Sequence, residues 1–234
     1  MCIIIHTSSK SEIADSILPD LADFHGDGVG VMWHDGNGNR YAKSNNSWDY
    51  EDMLATVPDG VECAIHFRFA TSGPRDDHHA HPFIIGNGGI MHNGILSSFG
   101  DAHRSDTKQF VDYLEDVTGG GTEYVDALLD RYARSDACRF LYLDRNGKFN
   151  QYGVWHSHQT TDTGWISYSS EPDVGSWYQS GLAKIDDGES WDRSPWDERN
   201  MTCEDWILED PARAADMLEM LYYEGLESEY REGV

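Results

Sequence analysis

The feature that most constrains this chain is that its strand-like runs come in adjacent pairs separated by short glycine-bearing turns. "DGVGVMWHDGNGNRYAKS" folds back on itself at "DGNGN", and "CRFLYLDRNGKFNQYGVWH" does so around Arg145, Asn146 and Gly147. Pairs this close in sequence join antiparallel, because a parallel neighbour needs a crossover of a dozen or more residues. Two further strands, "VECAIHFRFA" and "FIIGNGGIMHNG", are separated by the polar loop "TSGPRDDHHAHP", and "CIIIH" and "TGWISYSS" complete the set. Between them lie helical patterns. "SKSEIADSILPDLADF" carries Ile13, Ile17 and Leu21 and is interrupted by Pro19, and "SWDYEDMLATV" opens on Ser47 as N-cap. "SDTKQFVDYLEDV" starts at Ser105 or Asp106, and "EYVDALLDRYARS" follows a glycine break. This order predicts an α+β layered fold.

Bulk properties exclude several classes of function. With 42 acidic and 17 basic residues the formal net charge is −25, which repels nucleic-acid phosphates and anionic lipid. Such acidity spread along the chain fits a halophilic host or its virus. No run approaches the ~20 apolar residues of a membrane span, and the N-terminus lacks a basic signal-like region, so the expected location is cytoplasmic (or a virion). No GxGxxG opens a helix and no GxxxxGK[ST] is present, so no nucleotide cradle is expected.

Four cysteines, at 2, 63, 138 and 203, form no CxxC pair. Cys63 and Cys138 read as reduced buried thiols. Cys2 is different, because removal of Met1 would leave a thiol and a free α-amine on one residue, a nucleophile with its own base. The other reading makes it a small hydrophobe leading into a buried strand. An amide-attacking thiol also needs oxyanion donors and charges to hold its substrate. Asn93 and Gly94 in "MHNG" offer a side-chain amide and an unobstructed backbone N–H, although Asn-Gly is also a common turn. Arg68 sits in an otherwise apolar strand and needs a carboxylate, either from a ligand or from Asp106. In "DDHHAHP", His78, His79 and His81 read as a polar loop or as metal ligands, while His66 and His92 read as core or supporting groups. Trp155, Trp165 and Trp177 read as core or interface aromatics.

Taken in order, "MC", "HFRFATSG", "HAHPF", "MHNGIL" and "SDTKQF" resemble the motif set of class II glutamine amidotransferases, a branch of the N-terminal nucleophile (Ntn) hydrolases, and most of all their compact stand-alone form, like those found in viruses. The resemblance runs from residue 1 to about 115 and more weakly to about 180. It implies a four-layer αββα sandwich of two antiparallel sheets. It implies that Cys2 is the nucleophile, that Asn93 and Gly94 form the oxyanion hole, and that Arg68, helped by Thr71 and Ser72, pairs with the glutamine α-carboxylate. Asp106 would hold the α-amine, and His81-Pro82 would be structural. The implied reaction is hydrolysis of glutamine through a γ-glutamyl thioester, with no cofactor or metal. This chain departs from common family residues at Ile3, Phe69 and Ser72.

Residues 1–180 are read as the amidotransferase domain, and 181–234 as an acidic Trp-bearing loop and a C-terminal helix with Met217, Leu218, Leu221 and Tyr222 on one side. The 54 residues after 180 are too few for a second enzyme, so the expected ammonia acceptor is a separate partner. The competing readings are a catalytically silent fold serving as a structural or binding component, and a hydrolase of another γ-glutamyl amide.

Overall fold

The computed structural model describes residues 2–101, 103–119, 122–134 and 138–170. The expected acidic loop, the C-terminal helix, the boundary at 180 and Trp177 lie outside the described residues. The elements run β1 (Ile3–Thr7), α1 (Ile17–Phe24), β2 (Val29–His34), β3 (Asn39–Ser44), α2 (Tyr50–Thr56), β4 (Cys63–Phe67), β5 (Phe83–Ile85) and β6 (Gly88–Asn93). They continue as α3 (Asp106–Thr118), α4 (Thr122–Ala133), β7 (Arg139–Leu143), β8 (Phe149–Tyr152), β9 (His156–Gln159) and β10 (Trp165–Tyr168).

Among the described residues every strand pairing is antiparallel. Six strands form one sheet in the order β3-β2-β4-β1-β10-β9, and four form a second in the order β5-β6-β7-β8. The period-2 alternation of each strand then sorts side chains into layers. Ile3, Ile5, Ile65 and Phe67 turn outward onto α1 and α2, meeting Leu18, Leu21, Tyr50 and Met53. Ile90, Phe140 and Tyr142 turn outward from the second sheet onto α3 and α4, meeting Phe110, Leu114, Val125 and Leu129. The residues between them in sequence, Ile4, Met32 and Ala64 from one sheet and Met91, Leu141 and Leu143 from the other, fill the space between the sheets. The expected αββα sandwich is therefore present, and each fully buried aliphatic side chain in it contributes about 1.5–3 kcal/mol.

Three local expectations are corrected. Pro19 does not interrupt α1 but sits in its first turn, where backbone N–H groups have no intrahelical partner to lose. Asn46, not Ser47, caps the 3₁₀ turn that leads into α2, while the Ser47 hydroxyl donates to the Ala22 carbonyl at 2.7 Å. "FIIGNGGIMHNG" is two strands, because Gly86 takes φ 54° in a two-residue turn that pairs Ile85 with Gly88. One strand was not identified from the sequence: the polar stretch His156–Gln159 forms an edge strand with no buried residue, so it carries no apolar signal.

The long connection from β4 to β5 is tied down by acids. Asp27 accepts from Ala70 N and pairs with Arg75, and Asp77 accepts from Asn45 N. Its end lies so close to β2 that a Cβ at Gly30 would come within 1.8 Å of the His81 carbonyl oxygen. Gly30→Ala is expected to destabilise the fold by about 3 kcal/mol or more, since backbone must move to admit the methyl. Urea unfolding of the variant beside the wild type measures this.

Candidate active site

The site is built by strand parity at one end of the sandwich. β1 and β4 pair with Ile3 opposite Phe67, so the next position outward sets Cys2 beside Arg68. Alternation places both on the inner face already marked by Ile4 and Ala64. On the facing sheet, Met91 points inward and Asn93 shares its parity, two residues further along β6. Ser169, just past β10, is fully buried and bonds to Ile4 through both its N–H and its hydroxyl.

One narrow cleft is lined by Cys2, Arg68, Thr71, Ser72, Gly94 and Asp106, six of the residues read from the sequence as site residues. Asn93, the seventh, is buried at the end of β6, and its Nδ2 lies 3.0 Å and 2.6 Å from the Ser169 and Ser170 hydroxyl oxygens. The cleft also takes in His81, His92 and Thr107.

Cys2 is half-buried, with Sγ 3.5 Å from the Phe69 carbonyl oxygen. Desolvation in this crowded setting raises its thiol pKa above the ordinary value, so near neutrality it is a thiol rather than a thiolate. Cys63 is pushed up to about 12 by burial in the helix-facing core, which makes it inert.

Arg68 lies one residue beyond β4 rather than mid-strand, as the sequence had suggested. Its side chain is buried, and the guanidinium donates to the carbonyls of Pro74 at 2.9 Å and Ser72 at 3.1 Å. The direct ion pair with Asp106 that was one expectation is not formed. Asp106 instead accepts from Thr107 N at 2.7 Å and Leu96 N at 2.9 Å, and from the Ser72 hydroxyl at 3.4 Å. Burial pulls the guanidinium pKa down somewhat, yet two neutral carbonyls leave its charge uncompensated at short range. A buried cation on a cleft wall with donors to spare suits an anionic ligand.

The 71–74 loop and the start of α3 are pressed together at Gly73, which has φ 71° and whose Cβ, if present, would stand 2.5 Å from Ser105 N. Ser105 caps α3 by accepting from Lys108 N, and Asp106 follows in the first turn, where a carboxylate is favoured.

Three buried imidazoles, those of His66, His81 and His92, line and back the cleft. His66 and His81 lie ring to ring at 3.9 Å, and His66 Nε2 meets the His92 carbonyl at 3.1 Å. His92 Nδ1 meets the Thr107 hydroxyl at 2.8 Å and its ring stacks on Phe140. His79 is instead held by Asp76 at 2.7 Å. Thr107, Ser169 and Ser170 were not singled out as functional from the sequence. Parity gives their facing, but only the approach of the two sheets makes them neighbours.

No protein-family model matches the chain. Two curated relatives do: glutamine–fructose-6-phosphate aminotransferase of Agrobacterium fabrum is 27% identical over 139 residues, and that of Corynebacterium glutamicum is 29% identical over 96. The likeness is to class II glutamine amidotransferases. The matches cover 57% and 39% of this chain but span only 22% and 15% of the relatives' lengths. Among solved structures, the glutamine phosphoribosylpyrophosphate amidotransferase of B. subtilis aligns at 16% identity with a TM-score of 0.49, covering 74% of this chain and 42% of that one. Among the described residues, no helix is long and apolar enough to cross a membrane.

Burial lowers the pKa of His66 to about 3 and of His92 to about 4, against about 6.5 in an unfolded chain. Both rings are therefore neutral in the fold at pH 7. Between pH 6.5 and 4 the unfolded chain binds more protons, so their contribution is complete above about 6.5 and is lost as pH falls. At pH 5 each is expected to lower stability by about 2 kcal/mol relative to pH 7. Urea unfolding at the two pH values measures the slope, and His92→Asn should flatten it.

Proposed function

We propose that this chain is the glutaminase component of a class II glutamine amidotransferase. The observation that carries this reading is the convergence on one cleft of the Cys2 thiol, the buried Arg68 guanidinium, the Asp106 carboxylate and Gly94. A cation, an anion and a nucleophile set apart from one another match an amino acid bound by its head group and attacked at its side-chain amide. Glutamine is also the nitrogen donor in the names of the curated relatives.

In this reading Met1 is removed and the Cys2 α-amine, with an ordinary pKa of about 7.7–8.0, takes the thiol proton. That base is needed because desolvation keeps the thiol protonated. Sulfur attacks the side-chain carbonyl carbon, and the oxyanion is held by the Gly94 N–H and the Asn93 amide. Ammonia departs with the proton returned by the amine, leaving a γ-glutamyl thioester that water hydrolyses. Arg68, with Thr71 and Ser72, binds the α-carboxylate, and Asp106 binds the α-ammonium. Ammonia then passes to a separate acceptor enzyme.

The second reading, a silent amidotransferase-like fold, is favoured by the raised thiol pKa alone: with Met1 retained, Cys2 would have no amine to act as base. Intact mass before and after treatment with an electrophilic glutamine analogue separates the two. Loss of Met1 and one adduct on Cys2, absent in Cys2→Ser, is the expected result. A retained Met1 and no adduct would establish the silent fold. In the active protein, Arg68→Ala should raise the KM for glutamine at least about 30-fold, the equivalent of losing one buried charge contact worth about 2 kcal/mol.

A further inference from the structure

The Asn93 amide is wedged between two hydroxyls in a way that leaves one of its ends unpaired. Its Nδ2 faces Ser169 Oγ and Ser170 Oγ, while its buried Oδ1 meets no partner. In this orientation both amide hydrogens are consumed and a buried carbonyl oxygen is stranded. The two ends of a carboxamide have nearly the same shape, so the surrounding network decides which end points where.

Ser169 supplies that decision. Its Oγ already accepts the Ile4 N–H at 2.9 Å, so its own proton is left to donate, and the Asn93 amide is the acceptor within reach. The Ser170 hydroxyl, 2.6 Å from the same amide end, can donate in the same way. With the amide turned over, Oδ1 accepts from both hydroxyls through its two lone pairs. The Ile4 N–H keeps its acceptor, and the one end left over becomes Nδ2, a donor rather than an acceptor. An unpaired donor next to Gly94 is what an oxyanion requires.

We propose that Ser169 and Ser170 are positioning residues that hold the Asn93 carbonyl oxygen and so reserve its NH2 group for the oxyanion. The inference rests on the reading of Cys2 as the glutamine-attacking nucleophile. Ser169 does more than orient the amide. Its N–H also donates to the Ile4 carbonyl at 3.0 Å, so one residue fixes both the strand that carries Cys2 and the side chain that faces the developing charge. The two lie on different sheets, and Ser169 is a direct polar link between them.

Ser170 is partly exposed, which makes Ser170→Ala the milder probe, with Ser170→Thr retaining a hydroxyl. Glutaminase kinetics on the wild type and both variants, with thermal unfolding to confirm the fold, test the proposal. The expected result is a fall in kcat of at least about tenfold for Ser170→Ala, with KM within about twofold and most of the activity restored in Ser170→Thr. Stoichiometric labelling of Cys2 by the electrophilic glutamine analogue should persist in Ser170→Ala, since the pocket and thiol are intact. An unchanged or raised kcat in Ser170→Ala would overturn the proposal, because hydroxyls that merely occupied the NH2 group would release it on removal. A wild type with neither turnover nor Cys2 labelling would overturn this proposal and the parent reading together.

Discussion

The pairing of β1 with β4 is the constraint on which the rest depends. Ile3 opposite Phe67 and Ile5 opposite Ile65 lock two central strands in one register. A slip of one residue would send Ile3 and Ile5 into the space between the sheets and Ile4 toward the helices, reversing both sets of contacts at once. The same register fixes Cys2 next to Arg68. Core packing and site assembly are therefore one event: the alternation that buries the isoleucines also delivers the thiol to the inner face.

Much of this was legible in the sequence because it was written in local pattern. Hairpins announced by "DGNGN" and "DRNG" formed as expected, and the α3 cap at Ser105 followed from a hydroxyl residue ahead of an amphipathic run. Where local pattern was silent, the reading failed. The apolar residues flanking Gly86 and Asn87 look continuous because a two-residue turn is too short to shift composition. Ser47 was read as a cap from its type, but its hydroxyl is engaged by Ala22, twenty-five residues earlier in the chain. Of the cleft residues, Arg68 was legible as a charge ending an apolar run and Cys2 by its place behind Met1, while Thr71, Ser72, Gly94 and Asp106 were read from the ordered motifs. Ser169 and Ser170 were not legible, since small hydroxyl residues at a strand end are common and their neighbours come from other strands.

The cleft end of the sandwich is built against the preference of a core. Arg68, His66, His81, His92 and Asn93 are all buried there, whereas the cluster further along between the sheets is apolar, built on Ile4, Met32, Ala64, Met91, Leu141 and Leu143. Neutral imidazoles satisfy the low polarity at the expense of acid tolerance, and the guanidinium relies on loop carbonyls in place of a counter-ion. The helix-facing layers, with their isoleucines, phenylalanines and leucines, hold the fold together while this polar end stays available for chemistry.

The close contact of Gly73 with Ser105 joins a loop of one sheet to a helix covering the other, and with it the surroundings of Arg68 to those of Asp106. Under the proposed roles, cation, anion and thiol become three points held at fixed separations and unlike in chemistry. Three such points define a hand. The site would then read the configuration of an amino acid's α-carbon before it reads anything else, and a mirror-image substrate could satisfy any two of the points but never all three.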